Sequence, residues 1–316
     1  MSVPQSTPDV LGAVLREVRF ASAAYRWIEM SSPFRLVFDH PGLRGVHLIA
    51  AGTCDLVLAD GAVTPLAAGD TVILPRGDDH ELRAGRGAAP TSGFELAART
   101  PGSRLRGGGP GEAAATIVCG AFVAGDPEHP ALAGLPRVLL VPGADGRPPG
   151  WLTPYVEALR QEAFDGGAGS DVVMARLSDA LIARALRHHG AVTDHPGWLA
   201  GLRDPHLAAA LGAMHADPAR PWTLPALAAT AGLSRTAFAA RFTAAVGEPA
   251  MRYLQSLRLH RARTLLRDER LTVAAVAARV GYTSDVAFAA TFRRTFGVPP
   301  ARWRETTSSA TSLRRP

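Results

Sequence analysis

"LSRTAFAARFTAAVGEPA" (residues 233–250) and "TSDVAFAATFRRTFGVPP" (residues 283–300) say nearly the same thing twice. Phe238, Phe242, Gly247 and Pro249 return as Phe288, Phe292, Gly297 and Pro299, each fifty residues later. The apolar stretch before each copy repeats with an offset of forty-nine: Leu224, Leu227, Ala228, Ala229 and Gly232 return as Val273, Val276, Ala277, Ala278 and Gly281. The one-residue difference falls between the two parts, which suits a pair of helices joined by a turn of variable length.

Each copy predicts a helix-turn-helix unit. A short apolar helix over 224–231 ends at Gly232, a residue suited to a left-handed C-terminus. Ser234 is placed to cap a second helix that buries Phe238 and Phe242 one turn apart. In the second copy Leu271 to Val280 is the first helix, Gly281 ends it, Ser284 caps the next, and Phe288, Phe292 and Phe296 turn inward. In such a unit the second helix enters the DNA major groove while the first crosses the backbone. Between the copies "MRYLQSLRLHRARTLLRDE" (251–269) reads as a connecting helix, with Leu254, Leu257 and Leu265 inward and five arginines elsewhere. At ~1.5 Å per residue it would span roughly 28 Å, close to the ~34 Å between successive major grooves on one side of DNA. Two repeats are too few for a solenoid.

The charge follows the same division. From Asp204 onward there are sixteen Arg against seven Asp or Glu, a net of +9, whereas the whole chain carries +6, leaving about −3 for residues 1–203. A basic tail behind a neutral-to-acidic front suggests a polyanion partner, although charge alone fits an ordinary solvated surface as well. The 316 residues contain no lysine and no asparagine, so arginine enrichment by itself reflects composition and not selection for phosphate. Nearly half the residues are apolar, enough for two domains with cores. No apolar run approaches a membrane span, and the opening residues lack a secretory pattern. Cys54 and Cys119 are far apart in the chain and form no CxxC pair, so a reducing cytoplasm is expected.

The front half changes texture. Residues 9–19 predict a short amphipathic helix on Val10, Leu11, Val14, Leu15 and Val18. "RGVHLIAAG", "CDLVLADG" and "GDTVILPRG" then read as separate short strands of a sandwich or barrel. "LRGGGPGEAAA" reads as a mobile loop, and "VPGADGRPPG" (141–150) as the end of the β region. Two helices follow, one on Trp151, Leu152, Tyr155, Val156 and Leu159, the next on Val173, Leu177 and Leu181. Packing on the barrel and pairing with a second copy, a homodimer, both remain open for them.

"GDTVILPRGDDH" runs Gly69, five residues, Pro75, one residue, Gly77, two residues, His80. That spacing resembles the second motif of the cupin superfamily, a small jelly-roll β-barrel, and would deliver His80 to the barrel mouth. The first motif of metal-binding cupins is not matched: "GVHLIAAG" holds only His47, and Gly45 stands where the glutamate would be expected. His47, His80, Cys54 and Cys119 are the candidates for an effector pocket, with a metal held by the same four as the alternative. No cofactor is expected, and no paired carboxylates, nucleophile elbow or phosphate loop argue for an enzyme.

Together these residues resemble the AraC/XylS-type bacterial transcriptional regulators. "GLSRTAFAARF", "RLHRARTLL", "VAARVGYTSDVAFAATFRRTFGVPPARWR" and the Gly-x-Pro after each reading helix carry the likeness of the tail. "VHLIAAGTCDLVL", "LAAGDTVILPRGDDHEL" and "CGAF" carry that of a cupin-like sensor. The resemblance implies a two-domain protein: an N-terminal cupin-like β-barrel (jelly roll) with flanking helices, then an all-α domain with two helix-turn-helix units. The expected division is 1–142 sensor, 143–203 helical segment and linker, 204–306 DNA-binding domain, and 307–316 flexible tail. It also implies double-stranded promoter DNA and a small-molecule effector as partners. The expected DNA contacts are Ser234, Arg235, Thr236, Ala239, Ala240 and Arg241 in the first unit. In the second they are Ser284, Asp285, Val286, Ala290, Arg293 and Arg294. Alanine offers bases no hydrogen bond, so direct readout should be sparse and the arginines should lie mainly on phosphates. Two rival readings stand beside this one: a metal-dependent cupin enzyme fused to a DNA-binding tail, and a helical tail that binds protein.

Overall fold

The computed structural model describes residues 9–18, 20–40, 42–99, 104–124, 129–267 and 271–304. In chain order the front half holds α1 (Val10–Val18), β1 (Phe20–Ser31), β2 (Phe34–Phe38), β3 (Arg44–Leu58), β4 (Val63–Ala67), β5 (Thr71–Ile73), β6 (His80–Ala84) and β7 (Thr91–Ser92). It continues with α2 (Gly93–Arg99), β8 (Arg104–Gly108), β9 (Ala113–Ala124), α3 (Pro130–Ala133), β10 (Leu139–Val141), α4 (Thr153–Asp165) and α5 (Ser170–Val192). The tail is helical: α6 (Trp198–Gly201), α7 (Pro205–Ala216), α8 (Leu224–Thr230), α9 (Arg235–Val246), α10 (Ala250–Leu266), α11 (Val273–Arg279) and α12 (Asp285–Phe296).

The chain divides into two compact units, Val18–Pro127 with Leu135–Val192, and Met1–Glu17 with Glu128–Gly134 and Thr193–Pro316. The helices expected as a segment of their own, α4 and α5, thus belong with the sheet, both against β1. Trp27 of β1 meets the Phe164 ring edge-on at 5.4 Å, and the Arg104 guanidinium lies 3.9 Å over the same ring. The expected tail 307–316 lies outside the described residues, as do 268 and 269 at the end of the predicted connecting helix.

The sheet is a cupin half-barrel with strand order β7-β2-β6-β3-β9-β1-β8; β4 joins β3, and β5 bridges β3 and β10. The two stretches read as separate strands, "RGVHLIAAG" and "CDLVLADG", form the single β3. Its first half pairs with β9 and β5, its second with β4 and β6. Gly52, with φ of +74°, marks the change of sheet, and a Cβ there would fall 1.9 Å from the Ala114 carbonyl oxygen. A glycine here bends a strand instead of ending it. The stretch "RLRGG" is likewise a strand: β8 runs parallel to β1, so the loop is confined to the residues after Gly108. Between the two halves of the sheet lies an apolar core that includes Ile28, Met30, Phe34, Leu36, Ile49, Leu56, Leu82 and Ile117.

In the tail, equal spacing has produced equal structure. Ser234 and Ser284 each accept from the backbone N–H three residues on, at 3.2 Å, capping α9 and α12. Gly247 and Gly297 close those helices with φ of +86° and +76°. Phe238, Phe242, Phe288 and Phe292 are fully buried, with ring centroids 5.5 Å apart in the first pair and 5.6 Å in the second. One of the five arginines placed away from the apolar face of the predicted connecting helix is inside: Arg263 is 3% exposed, its guanidinium 4.3 Å over Trp303 and 4.8 Å over Phe296. Planar and weakly hydrated, guanidinium is the cation that tolerates such an aromatic slot.

Candidate functional site

On α9 the residues that the core does not use form one outward face. Ser234, Arg235, Thr236, Ala240 and Arg241 are exposed, while Ala239 is half-buried beside the phenylalanines. Ser284, Asp285, Val286, Ala290, Arg293 and Arg294 are all exposed on α12. Val286 is 75% exposed, an apolar side chain that no core requires. The capping serines each accept one backbone N–H within the helix and keep an O–H that can donate. Asp285 accepts from the Val286 N–H at 2.8 Å, at the positive end of α12. Arg241 has a partner within the protein: its guanidinium lies 2.9 Å from the carboxylate of Asp204, the residue that caps α7. Arg235, Arg293 and Arg294 have no such carboxylate partner among the described residues.

The second assembly is in the half-barrel. Register places Arg26, Cys119 and His47 side by side on β1, β9 and β3, with Ile28, Ile117 and Ile49 as the next row inward. His80 arrives from β6, its ring stacked on Phe38 at 5.0 Å. His47 Nε2 lies 2.7 Å from His80 Nε2, His47 Nδ1 lies 3.2 Å from Cys119 Sγ, and His80 Nδ1 lies 2.9 Å from the Asp78 carbonyl oxygen.

One proton arrangement satisfies this chain when both rings are neutral. A carbonyl only accepts, so His80 Nδ1 carries the proton and Nε2 accepts. His47 must then donate from Nε2 and accept at Nδ1, and the Cys119 S–H donates to it. Burial, and then the neighbouring His80, lowers the His47 pKa well below its usual value. Burial also lowers that of His80, against the opposing pull of the Asp78 carbonyl and the Asp79 and Asp78 carboxylates. Burial followed by the neighbouring Cys54 raises the Cys119 thiol well above its usual value. Burial pushes Cys54 up to about 12, with Asp55 and Asp70 adding to it. Both thiols are therefore protonated and poor nucleophiles at neutral pH.

The fold thus brings His47, His80 and Cys119 of the four candidates together. Cys54 is not part of the cavity that His80 and Cys119 border; it pairs with Leu66 and lies in the apolar core. Gly45 also acquires a reason: a Cβ there would sit 2.8 Å from His47 Nε2 and from His80 Cε1, so the imidazole pair fills that space. The four residues do not make the alternative metal centre. Among the described residues no three His, Cys, Asp or Glu side chains are grouped to hold a metal ion. Two nitrogens on one tetrahedral zinc would stand about 3.3 Å apart, from bonds of ~2.0–2.1 Å. The 2.7 Å separation instead marks a hydrogen bond.

The cavity measures about 130 Å³. Its wall includes residues that sequence patterns left unmarked, among them Arg26, Phe38, Leu43, Arg44, Phe94 and Ala97. Strand alternation could have pointed to Arg26, two residues from Ile28, but nothing in the sequence marks α2, which brings Phe94 and Ala97.

A pH prediction follows from the neutral pair. Both histidines have folded pKa values below those of the unfolded chain, so stability is complete above about pH 6.5 and falls as pH drops below it. Each histidine that stays neutral removes about 1.4 kcal/mol per pH unit in that window. The urea midpoint of the half-barrel should fall between pH 7.5 and 5.5, and fall less in His47→Gln. Equal midpoints at both pH values would contradict the neutral assignment.

The cupin family profile matches residues 9–191, and a profile described as a helix-turn-helix domain matches residues 227–306. An AraC-like transcription regulator of Streptomyces lividans is 35% identical over 280 residues, covering 85% of this chain and 88% of its own. One from Streptomyces antibioticus is 34% identical over 308 residues, covering 94% and 98%. The solved DNA-binding domain of AdpA in complex with a target DNA is 31% identical, covers 34% of this chain and 96% of its own, and superposes with a TM-score of 0.32. A cupin half-barrel, a duplicated helix-turn-helix and relatives matched over nearly their whole length agree, and the chain belongs to the AraC-type family of DNA-binding transcription regulators.

Proposed function

We propose that the chain is a one-component regulator whose tail reads promoter DNA with α9 and α12 while its half-barrel takes a small-molecule effector. The observation that carries this reading is the pair of matched, capped helices, each with a solvent face that its core does not need. Arg235, Arg293 and Arg294 are assigned to phosphates, with Ser234 and Ser284 donating to the backbone beside them. Thr236, Ala240, Val286 and Ala290, with Ala239 behind them, face base edges, where methyl and methylene groups suit the thymine methyl. Asp285 discourages phosphate at its own position and can accept from a cytosine amino group. Residues 1–142 with the helices up to 203 act as the sensing part and 204–306 as the reading part. Effector control requires that the ligand bind the active and inactive arrangements with different affinity.

The half-barrel works as a receptor and not as an enzyme in this reading, because its histidines and thiol are neutral and joined to one another. Phe164, Val172 and Val173, exposed on α4 and α5, suit pairing with a second copy of the chain. Light scattering of the full chain measures that directly. No helix among the described residues is long and apolar enough to cross a membrane, and we assign the protein to the cytoplasm, where promoter DNA is.

Genome-wide mapping of bound sites tests the DNA reading. The expected result is discrete promoter sites containing two short sequence blocks about 10–10.5 base pairs apart, one per reading helix. Sites with a single block would leave one helix-turn-helix unit without its assigned role.

A further inference from the structure

We infer that the half-barrel cavity takes a neutral, single-ring organic molecule carrying one hydrogen-bond acceptor; this rests on the effector reading above and names the class of ligand. Size is the first argument. The cavity of about 130 Å³ is close to the ~150 Å³ engineered apolar cavity that accepts benzene, so it holds one ring and a short substituent.

The wall supplies the second argument. Ile28, Phe38, Leu43, Phe94, Ala97 and Ala121 give it an apolar surface. Phe38 and Phe94 stand edge to face, 5.9 Å between centroids, with Phe38 also stacked on His80. Gly93 belongs to this design, since a Cβ on it would come within 2.3 Å of the Phe38 ring. An aromatic corner of this kind favours a flat guest placed against its faces and edges.

Polar atoms provide the third. The Cys119–His47–His80–Asp78 chain satisfies itself and demands nothing from a guest. Arg44 donates from Nε to the Pro75 carbonyl at 2.7 Å. Two atoms of lining residues are exceptions: Arg26, whose terminal nitrogen reaches the Tyr25 carbonyl and Asp171, has its Nε buried with no acceptor, and Asp78 has its Oδ2 buried with no donor. A buried N–H left unmet costs about 1–3 kcal/mol, so a guest oxygen that meets it is favoured over a guest without one. Charge decides between neutral and anionic guests. Asp78 and Asp79 line the same cavity as Arg26 and Arg44, so an anion gains two cations and meets two carboxylates, while still losing its hydration.

Titration calorimetry on the full chain with benzyl alcohol, toluene, benzoate and decanol tests this, with DNA affinity measured in parallel. Benzyl alcohol should bind about tenfold more tightly than toluene, reflecting one added hydrogen bond, and more tightly than benzoate, with decanol excluded. In Arg26→Leu the preference over toluene should vanish while toluene binding persists. Ala97→Phe, on the short helix α2, should fill the cavity and abolish binding, with an unchanged urea midpoint showing that the half-barrel still folds. Tightest binding of benzoate or decanol overturns the assigned class but leaves a small-molecule receptor standing. Failure of all four to bind overturns the class and removes the support for the receptor. Benzyl alcohol binding with DNA affinity unmoved sustains the ligand class and defeats effector control instead.

Discussion

Phe292→Ala should abolish DNA binding at physiological temperature by unfolding the second helix-turn-helix, not by removing a contact to DNA. Phe292 is fully buried and meets Phe296 edge-on at 4.6 Å, Phe288 at 5.6 Å and Trp303 at 6.3 Å. Its removal loses the transfer free energy of the ring and leaves a cavity that surrounding helices can only partly close. The combined cost is about 3–5 kcal/mol, against a typical domain stability of about 5–15 kcal/mol. Phe292 belongs to the single core shared by α10, α11 and α12, so the loss falls on all three helices. Phe242→Ala should act alike in the first unit. Val286→Ala is the control: it is exposed, so stability should change by no more than about 0.5 kcal/mol while the bound sequence changes. Urea unfolding and fluorescence anisotropy on the same preparations check this. A Phe292→Ala protein that keeps its urea transition would show that the aromatic cluster is not what holds α12.

This contrast between Phe292 and Val286 also explains how much was legible in the sequence. A helix core of four phenylalanines, two serine caps and two closing glycines is written locally, within a dozen residues each. The fold of the tail could therefore be read from spacing alone. The half-barrel was legible in its second motif, where Gly69, Pro75, Gly77 and His80 have fixed local duties. It was less so in β3, because a glycine that bends a strand between sheets looks the same in sequence as one that ends it. The β8 strand was hidden for a similar reason: its glycines lie on an edge paired in parallel with β1, a partner more than seventy residues away. The cavity depends on such distant pairings throughout. His47, Cys119 and Arg26 come together through register across three strands, and no periodicity in any one of them announces it. Arg263 was misread because helical spacing cannot show that Trp303 and Phe296 close over it from elsewhere in the chain.

Replacing Arg235, Arg293 and Arg294 together by alanine should lower affinity for any DNA about a hundredfold at physiological salt and flatten its salt dependence. Each phosphate neutralised contributes a slope of about −0.9 in log K against log salt, equivalent to about 1 kcal/mol at ~0.15 M. Three lost contacts therefore predict about 3 kcal/mol and a slope shallower by about 2.7. The loss should be similar for cognate and unrelated duplexes, because a phosphate carries no sequence information. Arg241→Ala separates the structural reading from a count of charges. Its guanidinium is held 2.9 Å from the Asp204 carboxylate, so its removal should leave the slope nearly unchanged despite the same loss of one arginine. Asp285→Asn should strengthen binding to unrelated DNA, by removing a negative charge from the groove end of α12, and so narrow the gap to the cognate site. Anisotropy titrations of the wild type and these three variants between 50 and 300 mM salt measure all of these slopes. If Arg241→Ala flattens the slope as much as each of the other three arginines does on average, the Asp204 pair opens on DNA and α9 approaches the backbone along more of its length than α12 does. If the triple variant keeps the wild-type slope, the two matched helices are not the surface that meets DNA.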